Sequence, residues 1–475
     1  MYESRGLEPV PAAERVGRVR ELFPTWVTAN ITVLLLTLGA GLVVLHGLNV
    51  WQVLVVAVTA PVVSYGVVGL VSVAGKRGGA PGMALSRAVF GQRGNLLPGA
   101  LIWAARWGWE TVNAVTGAYA LLTLVELAGG VRVGTPVAAV ALVLFVGVTF
   151  AVSGLGIGAL RVCCRWAAYL FGAFSVLVGG YLVARTDWGA VAGRPPGPAS
   201  MVAVGVGTLA AGAISWAPSA PDFARYLPRT ARAGAMVAVT VAGAVVVVVP
   251  LVLMGAVMAE STPGLASTAD PVGFIGARLP PWLSAPYLLI ALIGMLLINA
   301  MSMYSAGFMA QTLGVGLPRG WAVAVNAVIS LVLGLWLLVA AAGFLGTFLS
   351  FLTLLGVAFA AWVGVFGVDL ALRGSYDGAA LLDRGPSSAY WYRGGFAWPA
   401  VAGWGAALVA GLLFTRVDWF AGPLAGSWPG RHGLGWVVSA LVAAAVYGVL
   451  RPTAPARALG AGRGSRKVEE RGSGD

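Results

Sequence analysis

The octapeptide Arg106-Trp107-Gly108-Trp109-Glu110-Thr111-Val112-Asn113 has the most chemically suggestive spacing in this 475-residue chain. Trp109 and Asn113 are four apart, so on a helix they share a face. An indole beside a carboxamide suits a flat heterocycle. The ring stacks, and the amide offers a donor and an acceptor to the ring edge. The same two residues also fit an interfacial tryptophan plus an asparagine bonded to another helix. Arg106 and Glu110 are four apart as well. They could relay a proton, latch a gate, or form a neutralised pair that ties their helix to its neighbours.

Two further clusters carry polar chemistry among apolar residues. In one, Trp216 offers a second stacking surface. Asp222 follows beside a basic loop, as a cap, a salt-bridge partner or a gating group. In the other, Asn299 precedes Ser302, Tyr304 and Ser305. An unpaired amide is costly in apolar surroundings, so Asn299 either binds substrate or bonds another helix. The only histidines, His46 and His432, lie far apart, and the only cysteines, Cys163 and Cys164, are adjacent. Adjacent cysteines bridge poorly and two ligands make no zinc site. No metal centre, Ser-His-Asp triad or cofactor is expected.

The elements that must position these residues follow from composition. Apolar residues make up 59% and charged residues 10%, and the mean hydropathy is +0.87. A soluble domain carries roughly 25% charged residues, so the chain cannot cover a water-facing surface. A crossing helix needs about 20 apolar residues, and the pattern predicts an all-α polytopic membrane protein. A secreted disulfide scaffold, a disordered chain and a nucleic-acid binder are excluded. The net charge of +13 is spread in ones to fours between apolar runs, which is a topology signal and not a nucleic-acid stripe.

Twelve spans are expected near 26–48, 51–74, 97–126, 136–157, 166–184, 199–219, 234–259, 285–312, 321–340, 344–368, 397–415 and 433–450. With the N-terminus inside, only Arg132, Arg185, Arg194, Arg278, Arg416 and Arg431 fall on outer loops, and Arg106 lies within a span. The other basic residues are all inner, so both termini are expected in the cytoplasm of a plasma (inner) membrane protein. The apolar run beginning at 23–26 is too long, with too many successors, for a cleavable signal peptide.

The expected organisation is a cytoplasmic tail (1–25), a ten-helix core (26–370) of two halves (26–184 and 199–370), a cytoplasmic loop (371–396), two accessory helices (397–450) and a disordered tail (451–475). The inner loop 75–96 reads as glycine-rich and partly amphipathic. The outer segment 260–284 carries an apolar stretch, 272–279, that could lie across the top as a lid. Span 1 holds Leu38-Gly39-Ala40-Gly41 near its middle, next to Thr37. Span 6 holds Gly205, Gly207 and Gly212, then Pro218 and Pro221. Paired discontinuous helices at matching places in two halves mark a transporter's binding site, which makes Thr37 and Gly39 candidate substrate contacts. Membrane helices are also glycine-rich for packing alone.

Five stretches resemble the purine-cytosine permease branch of the nucleobase:cation symporter-1 family. They are WVTANITVLLLTLGAG in span 1, GAPGMALSRAVFGQRGNLLPGALIW after span 2, GWETVN in span 3, SWAPSAPDFARYLPR after span 6 and YSAGFMAQTLGVGLPR after span 8. The most specific runs from Gly82 to Pro98, with Ser86-Arg87, Phe90-Gly91 and Gly94-Asn95 between. The resemblance implies the LeuT-like fold, two inverted five-helix repeats plus two extra helices, with helices 1 and 6 discontinuous and substrate held mid-membrane. It implies import of nucleobases or related rings with a coupling ion. The family's stacking tryptophan and ring-binding amide fall on Trp109 and Asn113, its span-6 aromatic on Trp216 and its span-8 polar residue on Asn299.

Sodium-coupled members of that family carry hydroxyl residues on span 8, where this chain has Leu297 and Ile298. These supply no oxygen to a sodium cage, so proton coupling is expected, with Glu110 the first candidate to carry the proton. Cytosine is the first expected substrate, then purines. Hydroxymethylpyrimidines and hydantoin- or allantoin-like ureides are the alternatives. Partners are a small-molecule nucleobase and the lipid bilayer, with no nucleic acid and no obligate protein partner. A membrane-embedded transferase would need clustered carboxylates or a catalytic histidine, which the spans lack. A channel fits poorly with broken helices and polar sites at membrane depth.

Overall fold

Apolar runs without water around them must satisfy their own backbone, and helices do so within one segment. A computed structural model describes residues 3, 5–129, 135–266, 268, 270–340 and 344–451. The elements in chain order are α1 (Leu22–Thr28), α2 (Leu34–Val44), α3 (Val50–Gly78), α4 (Gly82–Phe90), α5 (Leu96–Gly129), α6 (Thr135–Leu155) and α7 (Ile157–Arg185). Next come α8 (Trp188–Gly193), α9 (Ala199–Ile214), α10 (Ala220–Ala224), α11 (Ala233–Ser261), α12 (Pro271–Gly276), α13 (Pro281–Thr312) and α14 (Arg319–Ala340). The chain continues as α15 (Phe344–Leu372), α16 (Gly378–Leu382), α17 (Trp398–Leu413), a two-residue ribbon β1 (Arg416–Val417) with β2 (Phe420–Ala421), α18 (Trp428–Arg431) and α19 (Gly435–Leu450).

Among the described residues, nine helices are long and apolar enough to cross a membrane. Three shorter apolar helices, α2, α17 and α19, stand where spans 1, 11 and 12 were expected. The long helices pack as α3 on α11 and α9, α5 on α13, and α15 on α19, with α17 against α19. Expected span 5 begins at Ile157, not 166, so Arg161 and Arg165 sit in its first turns and not in a loop. Residues 452–475, most of the tail expected to be disordered, lie outside the described residues.

Both expected breaks occur, but the first is not at its glycines. Span 1 unwinds over 29–33, between α1 and α2, and the run 38–41 is regular helix. Asn30 and Thr32 explain the position. The Asn30 amide donates to the Trp26 carbonyl at 2.8 Å, and the Leu34 N–H donates to the Thr32 hydroxyl at 3.2 Å. Polar side chains that compete for backbone groups end one helix and start the next. The glycines serve contact instead. A Cβ on Gly39 would collide with the Val252 carbonyl, and one on Gly255 with the Leu36 carbonyl, so α2 and α11 touch backbone to backbone. In span 6 the helix stops at Ile214 and restarts at Ala220. Pro218 and Pro221 bring no N–H to continue it.

The loop expected to be amphipathic folds as α4, and all nine of its residues are buried. Its Arg87 donates to the Leu381 and Thr312 carbonyls at 2.9 and 2.8 Å, tying the ends of α16 and α13 together. In the segment 260–284, Asp270 caps α12 by accepting from the Gly273 N–H at 2.9 Å, and Val272 and Ile275 are buried against α5 and α13.

An N-terminal strap crosses the bundle face where α3, α10 and α15 end. The Glu3 carboxylate accepts from Arg225 at 2.5 Å, Tyr226 at 2.5 Å, Tyr304 at 3.2 Å and the Ile157 N–H at 2.8 Å. Burial pushes this carboxyl up, but Arg225, the Tyr226 hydroxyl and Arg319 outweigh it and hold it below the usual carboxylate range. Further along, Arg15 reaches the Lys76 and Gly78 carbonyls. Glu3→Ala is expected to free the strap, because the buried Arg225 loses its counter-charge. Limited trypsin digestion of protein in detergent should then cut at Arg15, Arg18 and Arg20 at least several-fold faster than in wild type. Equal cleavage rates would show that the Glu3 cluster does not hold the strap.

Candidate functional site

The two chain breaks face one another across a cavity of about 70 Å³ inside the bundle. Ala29, Asn30 and Thr32 of the first break line it, as do Ser215 and Trp216 of the second and Arg106, Trp109 and Asn113 of α5. The period of α5 puts those last three on one stripe. Asn30 is held by its bond to Trp26 and by the Tyr65 hydroxyl, which donates to its Oδ1 at 2.8 Å.

Trp109 stands edge-on to Phe348 and Phe351, with ring centroids 5.8 and 5.9 Å away. Gly212 of α9 lies beside its six-membered ring, where an added Cβ would sit in ordinary contact at 3.7 Å. The indole Nε1 of Trp109 and the Oδ1 of Asn113 are both buried without a protein partner. Trp216 is held edge-on by Trp26 at 6.2 Å, and the Arg106 guanidinium lies 4.6 Å over its ring. The cavity thus offers aromatic surface from α5 and from the second break, with the Asn113 amide also on its wall.

Arg106 and Glu110 do not pair, which corrects the expectation from their spacing. Arg106 donates to the Ser215 carbonyl and stacks on Trp216. A cation there satisfies a carbonyl that the end of α9 leaves free and complements the helix dipole. Glu110 turns the other way. Its Oε1 accepts from Ser302 of α13 at 3.0 Å and its Oε2 from Ser330 of α14 at 2.9 Å. Four residues of separation put both on one face, but the nearest acceptor and donors belong to different neighbouring helices.

Asp222 is fully buried and accepts from the Gly82 N–H at 2.8 Å, so it caps α4. It does not line the cavity. Three other candidates also miss it. Thr37 is buried inside α2, and Gly39 faces Val252. Asn299 is turned away: Ile298 and Ser302 face the cavity, and Asn299 lies about 100° round the helix from Ile298. Both of its amide atoms are buried without a partner. Asn30, Tyr65, Phe348 and Phe351 were not anticipated. Asn30 and Thr32 within an apolar run were the available signal. The two phenylalanines, three apart in an apolar span, look like ordinary core.

The family model described as a permease for cytosine/purines, uracil, thiamine and allantoin matches residues 9–437. A Bacillus subtilis (strain 168) protein, YxlA, named as a purine-cytosine permease, is 26% identical over 461 residues, 94% of this chain and 95% of that protein. Among solved structures, Mhp1 is a nucleobase-cation-symport-1 family transporter, seen in a closed conformation with bromovinylhydantoin bound. It matches with a TM-score of 0.74 at 20% identity, over 94% of each chain. Its inward-facing conformation gives 0.69 at 20% identity, over 94% of this chain and 95% of that one. MhsT in complex with L-phenylalanine gives 0.57 at 13%, over 94% and 98%. These structures establish the LeuT-like fold.

Proposed function

The chain belongs to the permease family for cytosine/purines, uracil, thiamine and allantoin, and from that premise we propose that it imports a flat nitrogen heterocycle by proton symport through alternating access. It is a multi-pass membrane transporter of nucleobase-like substrates and not an enzyme. Cytosine is the first substrate to test, then purines. The observation that carries the reading is the cavity between two broken helices, with Trp109, Asn113 and Trp216 on its wall. A ring stacked on Trp109 would turn its edge to the unpartnered carbonyl of Asn113, one helical turn along α5. An unpaired buried group costs about 1–3 kcal/mol, so a ring that satisfies it gains affinity and selectivity.

Proton coupling is supported by Leu297 and Ile298, whose side chains bring no oxygen to a sodium cage. The Lys and Arg asymmetry supports a plasma-membrane protein with both termini in the cytoplasm, which places the N-terminal strap on the cytoplasmic face.

The test is uptake of radiolabelled cytosine into proteoliposomes of the purified protein, under an inward proton gradient, an inward sodium gradient or neither. The expected result is saturable, proton-driven uptake that unlabelled cytosine blocks and sodium does not drive. Sodium-driven uptake would overturn the coupling. Failure to bind cytosine, purines, hydroxymethylpyrimidine and ureides alike would overturn the substrate class.

A further inference from the structure

Glu110 is the fully buried carboxyl of α5, and among the described residues its hydrogen-bond partners are two hydroxyls, Ser302 of α13 and Ser330 of α14. Arg106, one turn away, is the charged side chain that acts on it, and that guanidinium is committed to Ser215 and Trp216. The other helices packed on α5 bring no formal charge near. α6, α9, α12 and α13 contain no Asp, Glu, Lys, Arg or His, α14 has only Arg319 at its first residue, bonded to the Glu3 carbonyl, and α15 has only Asp369, near its far end and paired with Arg373. An ionised carboxylate without a counter-ion is expensive at this depth. Ser302 touches both worlds: it bonds Glu110 and lines the cavity.

We propose that Glu110 is the proton-binding site of the transport cycle, and that the Ser302 hydroxyl reports its protonation to the substrate cavity. This rests on the carrier reading above. With Glu110 ionised, Ser302 spends its one proton on Oε1, as in the structure. A proton taken from the outer solution adds to that carboxylate and gives a neutral acid. The acid O–H then donates to Ser302 Oγ, because a hydroxyl can accept as well as donate. The Ser302 O–H is released to point into the cavity, where it donates to a ring nitrogen or carbonyl of the substrate. Substrate binding and proton binding therefore favour each other, as linkage requires. When the cavity opens inward, loss of the proton to the cytoplasm takes Ser302 back to Glu110 and weakens the hold on the substrate. Ser330 keeps the second oxygen bonded throughout.

The experiment compares wild type, Glu110→Gln and Ser302→Ala, each as full-length protein in proteoliposomes, with radiolabelled cytosine or the base that the uptake screen identifies. Binding is measured across pH, and proton-driven accumulation is measured beside exchange of internal for external base. Wild-type affinity should fall with rising pH, by about tenfold in all between the protonated and the ionised carboxyl, the coupling that one substrate hydrogen bond supplies. Glu110→Gln presents a permanent N–H to Ser302. It should bind with pH-independent affinity close to the low-pH wild type, keep exchange and lose accumulation. Ser302→Ala should bind about tenfold more weakly and lose most of the pH dependence, consistent with a lost hydrogen bond. A Glu110→Gln variant that still accumulates base under a proton gradient, or keeps the wild-type pH profile, would overturn the proposal. Wild type that binds no base would instead overturn the carrier reading itself.

Discussion

Trp109→Ala is expected to reduce uptake to background while leaving the amount of protein in the membrane near normal. The ring is half-buried and lines the cavity, so its removal enlarges an existing cavity more than it opens the core. Stacking a base on an aromatic ring contributes about 1–3 kcal/mol, so affinity should weaken about five- to hundredfold. Phe348 and Phe351 also lose the ring they stand against. Trp109→Phe should recover part of the affinity, because it restores a π-face without the indole N–H. Uptake by Trp109→Ala with an unchanged KM would show that the indole does not stack on the substrate.

Gly39→Leu is expected to remove most of the folded protein. The hydrogen it replaces faces the Val252 carbonyl, and the reciprocal contact sets Gly255 against Leu36. The obstacle is backbone on an adjacent helix, which cannot rotate aside. Overpacking a side-chain core costs about 1–3 kcal/mol, and separating two helices along this seam should exceed that. Gly41→Ala is the control, since its nearest neighbour is the Leu45 Cδ1 at 3.9 Å. It should be neutral, or stabilising by up to about 1 kcal/mol from helix propensity. Yield of monodisperse protein and Tm in detergent measure both. Equal Tm for Gly39→Leu and wild type would show that the close seam does not hold the helices.

Much of the architecture was legible along the chain, because hydropathy and helical period are local properties. The expected spans 3, 6, 7 and 8 coincide with α5, α9–α10, α11 and α13 to within a few residues. The stripe of Trp109 and Asn113 also follows from period alone, and both line the cavity. The errors concern choices among neighbours. Glycines can mark a break or a close contact, and the residue that decides is remote from the glycine it opposes, Val252 from Gly39 and Leu36 from Gly255. The break itself was signalled by Asn30 and Thr32, whose side chains bond backbone nearby.

By itself the sequence determined that this is a helical membrane protein, where its long spans run, and which α5 residues share a face. Each depends on transfer free energy and on 3.6 residues per turn, which neighbours cannot alter. Tertiary structure alone decided that Arg106 serves the Ser215 carbonyl while Glu110 serves two serines, and that Asn299 turns from the cavity that Ser302 faces. Hydrogen bonds and charges act over a few ångströms, so a polar side chain's partner is set by whichever helix packs beside it.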